Sequence, residues 1–178
     1  MSASVSVGVV AVALVALPSS MRPCTVPHLL EPSKLVDGAA LIVRAVPVEY
    51  VVPPDGEWLT KGTPPSTIRF RVVEVLKGSA AVREIVLHGY LGERDDFNDR
   101  PAPYDFVRPG GRGGACIAST YRQGAEHLLF LPAPDSDTPL WAPLAPVNEQ
   151  LDGRDDRWLR WVRQHLSPST AGPPPDAH

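Results

Sequence analysis

A chain of 178 residues with a net charge of −3 and a pI near 5.9 is sized for one domain. It has neither the basic surplus of a nucleic-acid binder nor the acidic surplus of a solvating tail. Its 21 prolines gather at 47–65, 101–109, 132–146 and 168–175, a pattern of loops and short or edge strands rather than long helices.

Residues 1–22 contain the apolar run Val5 to Leu17. It is too short for an ordinary membrane-spanning helix of about 20 residues and has the length of an export-signal core. The expectation is a secreted or cell-envelope protein with no membrane span after processing. The alternatives are a wrongly chosen start codon and an uncleaved anchor.

Only two cysteines are present, Cys24 and Cys116, so a single pairing is possible. In an oxidising compartment, closing a loop of about 90 residues contributes roughly 3–5 kcal/mol through the unfolded state. The alternative is two buried thiols. The chain has no C-x-x-C, and His28, His88, His127, His165 and His178 are scattered, so neither a zinc site nor any other cofactor is expected.

Leu29 to Gly38 reads as one or two helical turns, opened by Pro32 and closed by Gly38. Ala39 to Val52 follows as a strand whose near-continuous apolar content predicts cover on both faces, with an edge or bulge at Pro47. Pro53 to Ser66 reads as a hairpin loop. In Thr67 to Leu76, Ile68, Phe70 and Val72 alternate with Arg69 and Arg71, and the phase change at Val72-Val73 predicts a bulge. Arg83 to Gly89 reads as a third strand.

Tyr90 to Ala115 reads as a long irregular stretch, and long loops inside a domain are usually functional or mobile. Its carboxylates at 93–99 are hard oxygen donors suited to calcium, but the spacing matches no EF-hand and a solvated loop is the simpler reading. Gly110-Gly-Arg-Gly-Gly114 lacks the ending of a phosphate-binding loop and reads as a mobile connector. Glu126 to Leu131 is a fourth strand and Thr138 to Leu144 a fifth. Asp155 to Leu166 is an amphipathic helix with Trp158, Leu159, Trp161, Val162 and Leu166 on one face. Ser167 to His178 has the composition of a disordered tail. The domain is therefore expected at 23–166.

The fold class is mainly β: a small five-stranded OB-like barrel with a short N-terminal helix and a C-terminal amphipathic helix. Four features in order resemble the netrin-like domains typified by the tissue inhibitors of metalloproteinases, in a bacterial secreted form. Cys24 precedes a short helix and the strand Ala40-Leu-Ile-Val-Arg44. Phe70-Arg-Val-Val-Glu-Val-Leu-Lys-Gly78 comes next. Gly113-Gly-Ala-Cys116 stands before Tyr121 and Gly124, and Leu128-Leu-Phe-Leu131 closes the pattern. The resemblance covers about residues 24–132 and implies an OB-type barrel with Cys24 bonded to Cys116. It also implies that Cys24, if it were the mature first residue, could chelate a protease zinc through its amine and carbonyl.

No nucleophile motif or triad signature is present. The leading expectation is an exported, non-catalytic module that binds another protein or serves a structural role. Candidate contact residues are Cys24, Thr25, Asp95, Asp96, Phe97, Asp99, Tyr104 and Phe106. Two alternatives stand beside it. One is a metalloprotease inhibitor acting through Cys24. The other is a secreted metal-dependent hydrolase built on His88, His127 and the acidic loop.

Overall fold

The computed structural model describes residues 26, 28–54, 64–113, 116–137 and 142–167. The elements in chain order are helix α1 (Pro32–Gly38) and strands β1 (Leu41–Val52), β2 (Thr67–Lys77), β3 (Glu84–His88) and β4 (Tyr90–Gly92). A single 3-10 turn (Pro109–Gly111) follows, then β5 (Thr120–Arg122), β6 (His127–Leu131), β7 (Asn148–Gln150) and helix α2 (Arg157–Leu166). The protein is thus mainly β, with a short helix ahead of the sheet and an amphipathic helix after it.

The main sheet has five antiparallel strands in the order β3-β2-β1-β6-β7. Among the described residues its edges, β3 and β7, are not joined by a ladder. β4 and β5 form a separate parallel pair. Gly89 makes that possible by redirecting the chain between β3 and β4. A Cβ there would lie 2.4 Å from the Tyr121 ring and 2.7 Å from the Ser119 carbonyl oxygen, so only glycine fits.

β1 is covered on both faces, as its apolar run implied. Ile42 joins Leu35, Val36, Leu128, Phe130, Trp158, Leu159 and Val162 on the helical side. Leu41, Val43 and Ala45 join Ile68, Phe70, Ile85, Leu87, Tyr121, Leu129 and Leu131 on the other. The β1–β2 register slips at four places. Arg44 pairs with Glu74 but Ala45 with Val72, so Val73 is the extra residue, at the bulge expected from the broken alternation. Val48 and Val51 are extra residues on β1, the first of them next to Pro47. All three valines are exposed, whereas Leu76, the extra residue at the fourth slip, packs against the core.

Side chains tie the helices to the sheet. The Lys77 ammonium donates to the carbonyls of Val36 and Asp37, satisfying the C-terminal end of α1 from β2. Asp156 caps α2 by accepting from the backbone N–H groups of Trp158 and Leu159 at 2.7 and 3.1 Å. The apolar face of α2 places Trp158 wholly inside, stacked on Trp161 at 5.1 Å between ring centres. An ion chain runs Arg163–Glu74–Arg44–Glu126 across α2, β2, β1 and the approach to β6, with contacts of 2.7, 2.6 and 3.0 Å.

Two expectations are corrected. The segment proposed as a fifth strand, 138–144, is a turn where it is described, at 142–144; residues 138–141 lie outside the described set. The strand that follows β6 in the sheet is β7, whose Asn-Glu-Gln sequence carries no strand pattern yet is buried at every position. The second correction concerns 90–113, which is neither structureless nor a loose connector. It contributes β4 and the 3-10 turn and buries Tyr104, Val107, Arg108 and Gly111. The export segment, Cys24, Thr25 and the tail beyond Ser167 lie outside the described residues.

Truncating the central ring should be costly and truncating a bulge residue should not. Trp158→Ala is expected to lower unfolding free energy by about 3–5 kcal/mol in urea titrations. Exposed Val73→Thr should stay within about 0.5 kcal/mol of wild type.

Candidate functional site

The expected contact residues cluster on the loop 93–112, so the way that loop is held decides what it can present. It is held from β7 and from the chain before β5 through one side chain, Arg108. The Arg108 guanidinium is completely buried. Its Nε donates to the Asn148 carbonyl at 3.0 Å and Nη1 to Asp96 Oδ2 at 2.6 Å. Nη2 donates to the carbonyls of Ala118 and Thr120 at 3.2 and 2.6 Å. The plane lies 5.7 Å from the centre of the Tyr121 ring. A buried arginine is tolerable only when its donors are satisfied in this way.

Asp96 passes the connection on. Its carboxylate accepts the Gly110 N–H, and its own backbone N–H donates to Gln150 Oε1 at 2.9 Å. A Cβ on Gly110 would stand 2.4 Å from Asp96 Oδ2, so the glycine permits this close approach. The Gln150 amide donates in turn to Asp95 Oδ1 at 2.6 Å, and Arg122 pairs with Asp95 at 3.2 Å. Glu149 Oε1 accepts the Arg108 backbone N–H at 3.3 Å. Each residue of β7 therefore grips the loop.

Farther out, Arg112 pairs with both oxygens of Asp99 and donates from Nε to the Val107 carbonyl. The hydrogen bond from Arg112 holds the Asp99 carboxyl below its usual range. The Phe106 ring lies between two guanidinium groups, 5.4 Å from Arg100 and 5.2 Å from Arg112. Phe97 projects with 42% of its surface exposed. Beside the loop is a shallow open depression of about 630 Å³, bounded by Leu91, Glu93, Arg94, Asp95, Asp96 and Thr120.

The structure thus brings Asp95, Asp96, Phe97, Asp99 and Phe106 together on one loop. Tyr104 belongs to the core instead: its ring packs on Trp158 at 5.4 Å, and burial pushes its phenol up to about 12. Three of the acidic side chains, Asp95, Asp96 and Asp99, are tied to Arg122, Arg108 and Arg112. No group of His, Cys, Asp and Glu among the described residues is arranged to hold a metal ion.

The two histidines have different partners. His88 Nδ1 lies 2.8 Å from the Pro64 carbonyl and Nε2 3.5 Å from Asp137. His127 is sealed between sheet and loop, edge-on to Tyr121, with Nδ1 3.2 Å from the Ala125 carbonyl and Nε2 unpartnered among the described residues. Burial, reinforced by Arg108, pushes its imidazole down to about 3.

Cys116 lies at the other end of the same region, at φ 63°, and its carbonyl accepts the Leu144 N–H at 2.7 Å. It packs with Val107, Ala118 and Leu144, and no described cysteine is a free thiol.

The network residues Arg108, Asn148, Glu149 and Gln150 are not legible in the sequence. The one signal it carries is a polar triplet, Asn148-Glu-Gln150, flanked by Val147 and Leu151. The chain matches no family model and no curated protein.

Arg108→Met, which keeps much of the volume and removes every donor, should reduce unfolding free energy by about 3–5 kcal/mol, because Asp96 is left as an uncompensated charge. Denaturant titration checks it. His127 has a folded value below its unfolded one, so its contribution is present at neutral pH and fades as pH falls from about 6.5 towards 3. The stability advantage of wild type over His127→Gln should shrink across that window in paired urea titrations.

Proposed function

We propose that the protein is an exported, non-catalytic module that binds another protein through the exposed side of the 93–106 loop. The observation that carries this reading is Phe97, a large apolar ring exposed on a loop whose backbone is pinned from beneath by Arg108. A rigidly presented aromatic loses little entropy on binding and is a favourable centre for an interface. Asp95, Asp99 and Phe106 flank it, each already paired with an arginine, so a partner meets a surface of modest net charge. The buried polar groups Arg108, Asn148 and Gln150 then have a structural role, which is to hold the loop.

The OB-type, netrin-like architecture and the Cys24–Cys116 bond belong to the same proposal. In their support are the five antiparallel strands, the heavily bulged β1–β2 pair and the short helix ahead of β1. A partly open five-stranded barrel would bring β3 towards β7. The bond would tether the start of the domain next to Val107 and Phe106, at the base of the contact loop.

Deleting 90–115 is not a usable test, because it would remove Arg108 from the core. The informative variant is Phe97→Ser, which alters an exposed side chain. Partners captured by cross-linking from the extracytoplasmic fraction should be lost at least about tenfold with this variant, while its far-UV spectrum stays that of wild type. Undiminished capture would place the contact elsewhere. Intact mass with and without reductant and alkylation reads the processing site and thiol state together. The proposal expects no alkylatable thiol and a start before Cys24. A start at Cys24, joined by inhibition of a zinc protease, would favour the inhibitor reading instead.

A further inference from the structure

Glu149 has no place in the binding reading, and its surroundings are unusual. Its side chain is completely buried on a strand of three residues at the edge of the sheet. One oxygen accepts the Arg108 N–H; the other, Oε2, meets no partner among the described residues. The two nearby guanidinium groups are paired elsewhere, Arg108 with Asp96 and Arg112 with Asp99. The Asn98 side chain hydrogen-bonds the carboxyl and, like Arg108, favours its charged form, while Asp96 disfavours it; from the core side the phenol of Tyr104 faces it, beyond which lie Asp152, Asp156 and Arg157 at the approach to α2. A carboxylate here would be an incompletely solvated buried charge.

We propose that the 93–112 loop is latched onto β7 by the uncharged form of Glu149, and that loss of the Glu149 proton releases the loop. The geometry makes the loop the part that yields. Among the described residues β7 is paired to β6 alone, and four ties between loop and β7 run through adjacent residues. These are the Asp96 N–H to Gln150, the Gln150 amide to Asp95, Arg108 Nε to the Asn148 carbonyl, and the Arg108 N–H to Glu149. Water reaches Oε2 by parting that seam, whereas the opposite side is the packed face of Trp158 and Phe130.

Burial outweighs the attraction of Arg108 and raises the carboxyl to about 7, so the proton is exchanged near neutrality. The closed state holds it more tightly than an open, hydrated one. Opening is therefore favoured as pH rises from the ordinary carboxylate range to about 7, and levels off above. His127 acts in the opposite direction, since it loses stability as pH falls. The latch does not depend on what the loop binds.

Hydrogen exchange on the full chain, expressed as protection factors, tests it. The amides of Asp96, Arg108 and Gly110 should lose protection roughly tenfold per pH unit between pH 5 and 7, relative to the amides of β1 and β2. In Glu149→Gln the same amides should show no such slope. A flat profile in wild type, or an equal slope in Glu149→Gln, overturns the proposal. If that variant does not fold, the carboxyl carbon of Glu149 in 13C-glutamate-labelled wild type decides the matter. A midpoint near 7, matched by loss of protection at Asp96, Arg108 and Gly110 through the same pH range, supports the latch, and one in the ordinary range near 4.5, or a midpoint near 7 with those amides unchanged, removes it.

Discussion

A single buried guanidinium organises the half of this protein that faces the candidate contact surface. Arg108 reaches the loop through Asp96, β5 and the chain just before it through the Thr120 and Ala118 carbonyls, and β7 through the Asn148 carbonyl. Apolar packing alone would not define these positions, because β7 and its surroundings present polar atoms. A planar, always-charged donor set does define them, since each N–H must find an acceptor in a fixed direction. The expense of burying the charge is offset only when the whole set is in place, which couples strands that share no ladder.

The rest of the molecule follows a different logic. β1 and β6 lie at the centre of the sheet with helices on one face and the β2–β3 and Tyr121 side chains on the other. Their positions need no polar instruction. The long β1–β2 pair relieves its length through bulges, which turn Val48, Val51 and Val73 outward. Between the two regions sit His127 and Glu149, buried ionisable groups that titrate with opposite sign. The two shifts fall on adjacent strands, β6 and β7.

What can be read from the residues and what cannot divides along the same line. Near-continuous apolar content locates β1 and predicts its two covered faces. The broken alternation at Val72-Val73 locates a bulge. Helical spacing of Trp158, Leu159 and Val162 locates the buried face of α2. These are local periodicities, and the hydrophobic effect acts on them directly. β7 escapes such a reading because Asn148-Glu-Gln150 is buried by hydrogen bonding, for which no periodic signal exists. The glycine-rich segment reads as mobile because its anchor, Asp96, lies far from Gly110 in sequence. Tyr104 groups by sequence with the loop aromatics Phe97 and Phe106, although it packs on Trp158.

By itself, the sequence determined the class of the fold, the central strands, both helices and the place of one bulge, because each depends on side chains near one another along the chain. It also bounded the cysteine chemistry to one possible pair. Only the tertiary structure decided which polar residues are buried, which arginine neutralises which carboxylate, and which of the loop's side chains remain exposed. Those outcomes depend on donors and acceptors meeting across long separations, and their free energy exists only once the apolar core has placed them within hydrogen-bonding distance.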